Sequence, residues 1–252
     1  MENQSNKQLS IVHNNLEKLL DSKRDAMPST FNKTRFLQNC MTVLQDTKEI
    51  DKCDAVTVAR TMLKGAFLGL DFFNKECYCI IYGGKAEFQT DYKGEKKLAK
   101  KYSVRPIKDI YAKLVREGDD FTEEIKDGLP MIQFKPKAFN DGEVIGAFAV
   151  ALFEDGGMTY EVMSRAEMEQ TRKNYSKQAA GQAWTKSPGE MYKKTVLRRL
   201  CKGIELDFDT IEQKQAFEDA ADVDFDKKPE PEQISPLAFV EAEVVDDEFN
   251  TR

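Results

Sequence analysis

The sequence is poor in the residues on which common catalytic sites depend. Among 252 residues there is one histidine, His13, and one tryptophan, Trp184. A single imidazole leaves little from which to build Ser-His-Asp chemistry or a multi-histidine metal centre. The five cysteines, Cys40, Cys53, Cys77, Cys79 and Cys201, are an odd set with no C-x-x-C pair, which points away from a zinc site or a disulfide framework. Cys77 and Cys79 share one side of a strand and are expected to fill core. No apolar run reaches membrane-spanning length, and Met1 to Ser10 lacks the apolar region of a signal peptide, so a cytoplasmic location with no membrane partner is expected. The G-x-x-x-x-G-K-[ST] phosphate loop is absent too, as is any internal repeat.

What is present is a core and a divided charge. Hydrophobic residues make up 40% of the chain, enough for a proper core. The net charge of −6 conceals a polarity: residues 205–252 hold sixteen acids against four bases, a balance of −12, which leaves +6 on residues 1–204. The body is basic and the tail acidic.

The chain centres on residues 77–102. Cys77-Tyr-Cys-Ile-Ile-Tyr82 and Lys85-Ala-Glu-Phe-Gln-Thr90 are runs of β-formers joined by Gly83-Gly84, the pattern of a hairpin. Asp91 then caps an expected helix in which Lys93, Lys96, Lys97, Lys100 and Lys101 share one face, with Tyr92, Leu98, Ala99 and Tyr102 on the other. Like charges at this spacing destabilise a helix by a few tenths of a kcal/mol per pair, roughly, and a polyanion would relieve them. A solvated lysine face is the plain alternative. Phe88 and Tyr92 beside it tilt the reading towards unpaired bases.

Helical spacing predicts further helices over residues 11–22 (Ile11, Leu16, Leu19, Leu20), about 31–48 (Phe31, Phe36, Met41, Leu44) and 54–70, the last capped by Asp54. Residues 104–115 read as a strand. The acids after it, Glu117, Asp119, Asp120, Glu123 and Glu124, read as a solvent-facing turn region, since no spacing fits a calcium loop. Val144 to Phe153 and Met158 to Met163 form a second hairpin, and Ser164-Arg-Ala-Glu167 is a capping box that opens a helix through about Lys173. A polar loop over 174–187 holds Trp184 between Lys177 and Lys186, where both core and stacking roles stay open. Pro188 opens a helix through about Lys202 with Lys194, Arg198, Arg199 and Lys202 on one arc. Lys193 falls in the apolar arc, so it either snorkels or points into an anion-holding groove, and we favour the groove. Beyond Asp207 the chain reads as an acidic, proline-punctuated linker ending in a short apolar patch, Leu237 to Val240.

The segments Phe88-Gln-Thr-Asp-Tyr-Lys-Gly94, Val115-Arg-Glu-Gly-Asp119, Glu161-Val-Met-Ser164, Trp184 and Met191-Tyr-Lys-Lys-Thr-Val-Leu-Arg-Arg199 resemble, in order and spacing, the RecT family of phage-type single-strand annealing proteins. The resemblance covers residues 50–205. It departs at Ile81-Tyr-Gly-Gly84, where a longer turn is expected. It implies an ATP-independent recombinase that coats single-stranded DNA and anneals complementary strands as a homo-oligomeric ring or helical filament. It also implies, through the tail, contact with a host single-strand-binding protein and, beside it, a partner exonuclease. No cofactor is expected, with magnesium left open as a companion of the DNA.

The expected fold is therefore α+β: antiparallel β-hairpins packed with helices in an annealing-protein core, followed by a disordered acidic tail. The expected divisions are an N-terminal helical region at 1–49 making oligomer contacts, a DNA-binding core at 50–208, and the linker and tail at 209–252. The candidate DNA-binding residues are Phe88, Gln89, Tyr92, Lys93, Lys96, Lys97, Lys101, Arg105, Arg116, Arg172, Lys173, Trp184, Lys193, Lys194, Arg198 and Arg199. Two other classes compete. Glu87 with Asp91 and Lys93 loosely resembles the acid and lysine of a magnesium-dependent nuclease core. A passive single-strand-binding or scaffold protein is the other.

Overall fold

The computed structural model describes residues 2–126, 128–176 and 179–220; the Leu237 to Val240 patch and the rest of the acidic tail lie outside them. The chain is a mixture of helices and antiparallel sheets, the α+β class expected.

Three helices open it. α1 (Glu2–Ser22) buries Leu9, Val12, Leu16 and Leu20, spaced three and four apart, while Ile11 faces outward. α2 (Lys33–Gln45) starts where Asn32 accepts a hydrogen bond from the Arg35 N–H at 2.9 Å, and buries Phe36, Leu37, Cys40 and Leu44. α3 (Ala55–Leu68) is capped by Asp54, which accepts from the Thr57 N–H, and closes at Gly69 with φ 66°, a left-handed stop. α3 then leads to β1 (Cys77–Tyr82) and β2 (Lys85–Thr90), paired so that Tyr82 opposes Lys85 across Gly83-Gly84, both at positive φ. These elements enclose one apolar core, with Cys77 and Cys79 buried in it as their alternation predicts.

α4 (Tyr92–Tyr102) lies between this core and a second one: Leu98 and Tyr102 pack into the first, Ala99 into the second. The second core is built on a three-stranded antiparallel sheet in the order β3 (Ile107–Arg116), β6 (Val144–Phe153), β7 (Met158–Ser164). Ala147, Ala149 and Ala151 of β6 face the helices α5 (Arg165–Tyr175), α6 (Gln182–Lys186) and α7 (Pro188–Gly203). On the opposite face, Phe148 and Val150 meet Phe121, Ile132 and Phe134 of a third hairpin, β4 (Asp120–Lys126) with β5 (Leu129–Lys135). That hairpin overturns the expectation of an acidic turn. Its inward residues alternate with Glu and Thr, a half-buried strand pattern that the density of acids obscures, and Pro130 is tolerated because it lies in a two-stranded ribbon. α5 opens with the expected capping box, Ser164 and Glu167 exchanging hydrogen bonds.

Residues just past Asp207 do not read as linker in the structure. They form α8 (Ile211–Asp219), which packs Ala216 and Ala220 into the first core, and the Thr90 N–H donates to the Ala220 carbonyl at 3.3 Å.

Candidate nucleic-acid interface

α4 carries the lysine stripe, and its geometry begins with Gly94. A Cβ there would lie 2.2 Å from the Glu76 carbonyl oxygen, so only glycine lets the first turn of α4 settle against the chain entering β1. The same carbonyl accepts from the Asp91 N–H at 3.0 Å. Asp91 occupies the cap position without a side-chain cap bond, and the Tyr78 hydroxyl bonds to it instead. Burial, with the Asp91 charge second, pushes the Tyr78 phenol up to about 12.

With the first turn anchored, the lysines point outward and find different neighbours. Lys97 pairs with Glu76 at 2.7 Å. Lys100 reaches Asp109 at 3.3 Å and the Lys108 carbonyl at 3.1 Å. Asp109 is held below the usual carboxylate range by the Ile110 N–H first, and then by Lys100 and Lys96. Lys101 sits against the ring and hydroxyl of Tyr102, and its partial burial lowers its pKa. Lys93 and Lys96 make no ion pair with any described residue, and Tyr92 is exposed beside them. Among the described residues these five ammonium groups have three carboxylates near them, Glu76, Asp109 and Asp209, which leaves an excess of positive charge on the helix face.

The fourth residue of α4 turns the other way. Glu95 is buried, and its Oε1 accepts from both the Thr90 hydroxyl and the Arg198 guanidinium of α7, each in a short contact. Arg198 also donates to the Phe217 carbonyl at 3.1 Å and lies 4.6 Å over the Phe217 ring, so one guanidinium ties together α4, α7 and α8.

This corrects the expectation for Arg198. Within its arc of α7, Arg199 and Lys202 stay exposed, but α4 and α8 cover Arg198, which is 5% exposed. Phe88 and Trp184 are corrected likewise. Phe88 is 2% exposed, edge-on to Phe72 at 6.0 Å in the first core; Trp184 is 2% exposed, edge-on to Tyr192, and its indole N–H donates to Ser176 at 3.3 Å. Neither ring can stack on a base from there. Gln89 is buried too and donates to the Tyr82 hydroxyl.

The remaining candidates spread over the surface. Arg105 clamps Asp155 with two bonds of 2.6 Å above the Phe153 ring, which holds the Asp155 carboxyl below its ordinary range. Arg116 donates to the Gly142 carbonyl at 2.7 Å, at the far end of β3. At about 3.3 Å per residue the two arginines stand roughly 35 Å apart, so one phosphate cannot meet both. Arg172 donates to the Ala179 carbonyl at 2.6 Å and stacks over Trp184, while its neighbour Lys173 is exposed. Lys193 snorkels to Glu190, one turn earlier on α7, at 2.6 Å; Lys194 is half-buried beside it. Arg199 pairs with Glu161 at 2.8 Å and joins Lys202, Gln170 and Asn174 around a polar cleft of about 420 Å³ between α5 and α7.

Among the described residues no three His, Cys, Asp or Glu side chains converge as metal ligands. Nor is any described helix long and apolar enough to cross a membrane.

Comparison with known proteins adds three findings. A family model described as the RecT family matches residues 34–233. Protein RecT of Escherichia coli (strain K12) is 29% identical over 187 residues, spanning 70% of this chain and 68% of the relative. The uncharacterized protein YqaK of Bacillus subtilis (strain 168) is 25% identical over 244 residues, spanning 86% of this chain and 82% of the relative.

Proposed function

The chain belongs to the RecT family, and on that premise we propose that it binds single-stranded DNA and anneals complementary strands without hydrolysing nucleotide. The observation that carries this reading is the outer face of α4, where Lys93 and Lys96 make no ion pair among the described residues and stand beside exposed Tyr92 on a helix locked into the body by Gly94 and Glu95. Phosphates along this face release counterions, which supplies affinity with no sequence preference. Tyr92 offers a ring to a base, while the other bases stay open to a second strand. Base pairing then supplies the driving force, about 1.4 kcal/mol per stacked step, so no ATP site is required. Lys173, Lys194 and Arg199 are secondary phosphate contacts in this scheme. A homo-oligomer of ring or filament form, a cytoplasmic setting, and partnership with an exonuclease and a single-strand-binding protein follow from the family resemblance.

The test is strand annealing without ATP. Complementary oligonucleotides carrying a donor and an acceptor dye are mixed with the protein, and the rate of pairing is followed. Acceleration over the protein-free rate supports the reading. Binding without acceleration makes the protein a passive binder, and shortening of labelled strands in magnesium makes it a nuclease.

A further inference from the structure

Lys97 and Lys101 point away from the open half of the lysine face, towards α2. There, with Arg35, they line a pocket of about 310 Å³, at the small end of the range for ligand sites. Three features of its lining are unusual together.

The first is loosely held positive charge. Arg35 projects from the first turn of α2, 70% exposed, and among the described residues the one carboxylate it pairs with, Asp71, is 3.9 Å away. Lys101 makes no ion pair within 4 Å among the described residues; it rests near Gly69 at the carbonyl end of α3, with the Asp209 carboxylate acting on it from farther off. Of the three cations, Lys97 has the closest carboxylate, Glu76. The second feature is a pair of amides. Asn39 and Asn74 both donate to Asp71, at 2.8 and 3.1 Å, so each amide oxygen is left as an acceptor with no partner among the described residues. The third is an apolar wall of Pro28 and Phe31, with Phe31 braced against Phe36 at 5.2 Å.

Cations for a phosphate, amide oxygens for base N–H groups and a ring for a base face are the recognition set of a nucleotide. We propose that this pocket takes one nucleotide of the bound strand, its phosphate on Arg35, Lys97 and Lys101 and its base against Phe31. The inference rests on the single-strand reading above and extends the DNA path across α4 onto α2, within a region expected from sequence to serve oligomer contacts. Arg35 becomes a DNA-binding residue.

The experiment uses the full chain and a labelled oligo-dT, with affinity measured across salt concentrations and amide hydrogen exchange read over residues 28–39 and 69–74. Arg35→Glu is exposed and acidic at a helix start, so it folds. It is expected to weaken binding about tenfold and lower the salt slope by about one. Oligo-dT should protect both segments in the native chain and not in the variant. Binding that persists with neither segment protected and the slope unchanged overturns the pocket but leaves the single-strand reading standing. Absence of any oligonucleotide binding overturns both. With dTMP, thymidine and inorganic phosphate compared at equal concentration, dTMP should protect most; equal protection by phosphate alone would reduce the pocket to an anion site and overturn the nucleotide assignment.

Discussion

Replacing Arg198 by methionine separates a structural arginine from a DNA-binding one. The side chains of Arg198 and Glu95 are 6% and 1% exposed. Removing the guanidinium strands the Glu95 carboxylate in the interior with only the Thr90 hydroxyl, and stranding one member of a buried pair costs about 3–5 kcal/mol. The Phe217 carbonyl of α8 loses one of its two donors as well, keeping the Ala220 N–H, which costs about 1 kcal/mol more. The expected loss is therefore about 4–6 kcal/mol, read from urea unfolding followed by helical circular dichroism. The pair is not perfectly satisfied: Glu95 Oε2 and Arg198 Nε have no hydrogen-bond partner among the described residues. An apolar pair should for that reason be tolerated, and Glu95→Leu with Arg198→Met together should lose less than about 2 kcal/mol, a coupling of several kcal/mol. The folded fraction of Arg198→Met should bind oligo-dT with an unchanged salt slope. A loss of stability under about 1 kcal/mol together with a lowered slope would refute the structural role and return Arg198 to the DNA.

Gly94→Ala should cost about 2–3 kcal/mol or prevent folding, because its methyl has only the Glu76 carbonyl to push against; an unchanged urea midpoint would show that α4 can shift. Lys93→Ala and Lys96→Ala should each leave stability within about 0.5 kcal/mol and lower the salt slope of single-strand binding by about one or less, and a slope that stays put removes that lysine from the interface. All five thiols are buried, and burial pushes those of Cys40, Cys77 and Cys201 well up and that of Cys79 to about 12, so a thiol reagent at pH 8 should label almost none natively and all five in urea. A chain ending at Asp209 should be less stable than one ending at Ala220 by about 3 kcal/mol or more, since only the longer one keeps α8 beside Arg198; equal unfolding midpoints would make α8 dispensable.

The local signals in the sequence translated well into elements. The Gly83-Gly84 hairpin, the Asp54 cap, the Ser164 capping box and the Pro188 helix start all stand where turn and cap chemistry puts them, because each depends on neighbours within a few residues. What the sequence hid depends on tertiary neighbours. Arg198 looks solvated on α7 until α4 and α8 close over it, and nothing local marks Glu95 as its partner. Phe88 and Trp184 sit among lysines in the sequence, yet strand alternation sends Phe88 inward and the short α6 folds Trp184 onto Tyr192. A buried acid in the midst of a lysine stripe was the one available clue: Glu95 interrupts the basic helix on its apolar side, where an unpaired carboxylate cannot stay. The hairpin β4–β5 escaped because its acids outweighed a faint apolar signal, Phe121, Ile132 and Phe134, whose partner face lies on β6.

β6 is bonded on both edges, to β3 and β7, and covered on both faces, by α7 and by the β4–β5 hairpin. Its amide protons can therefore leave for solvent only when the molecule opens as a whole, on the slowest timescale the chain has. The hairpin above it is different: Phe121 and Phe134 pin its base to Phe148, but Ile125 near its tip is 78% exposed, so the tip is expected to open locally at lower cost than β6. The sheet centre is therefore the part of this chain expected to exchange last, and the tip of the β4–β5 hairpin among the first.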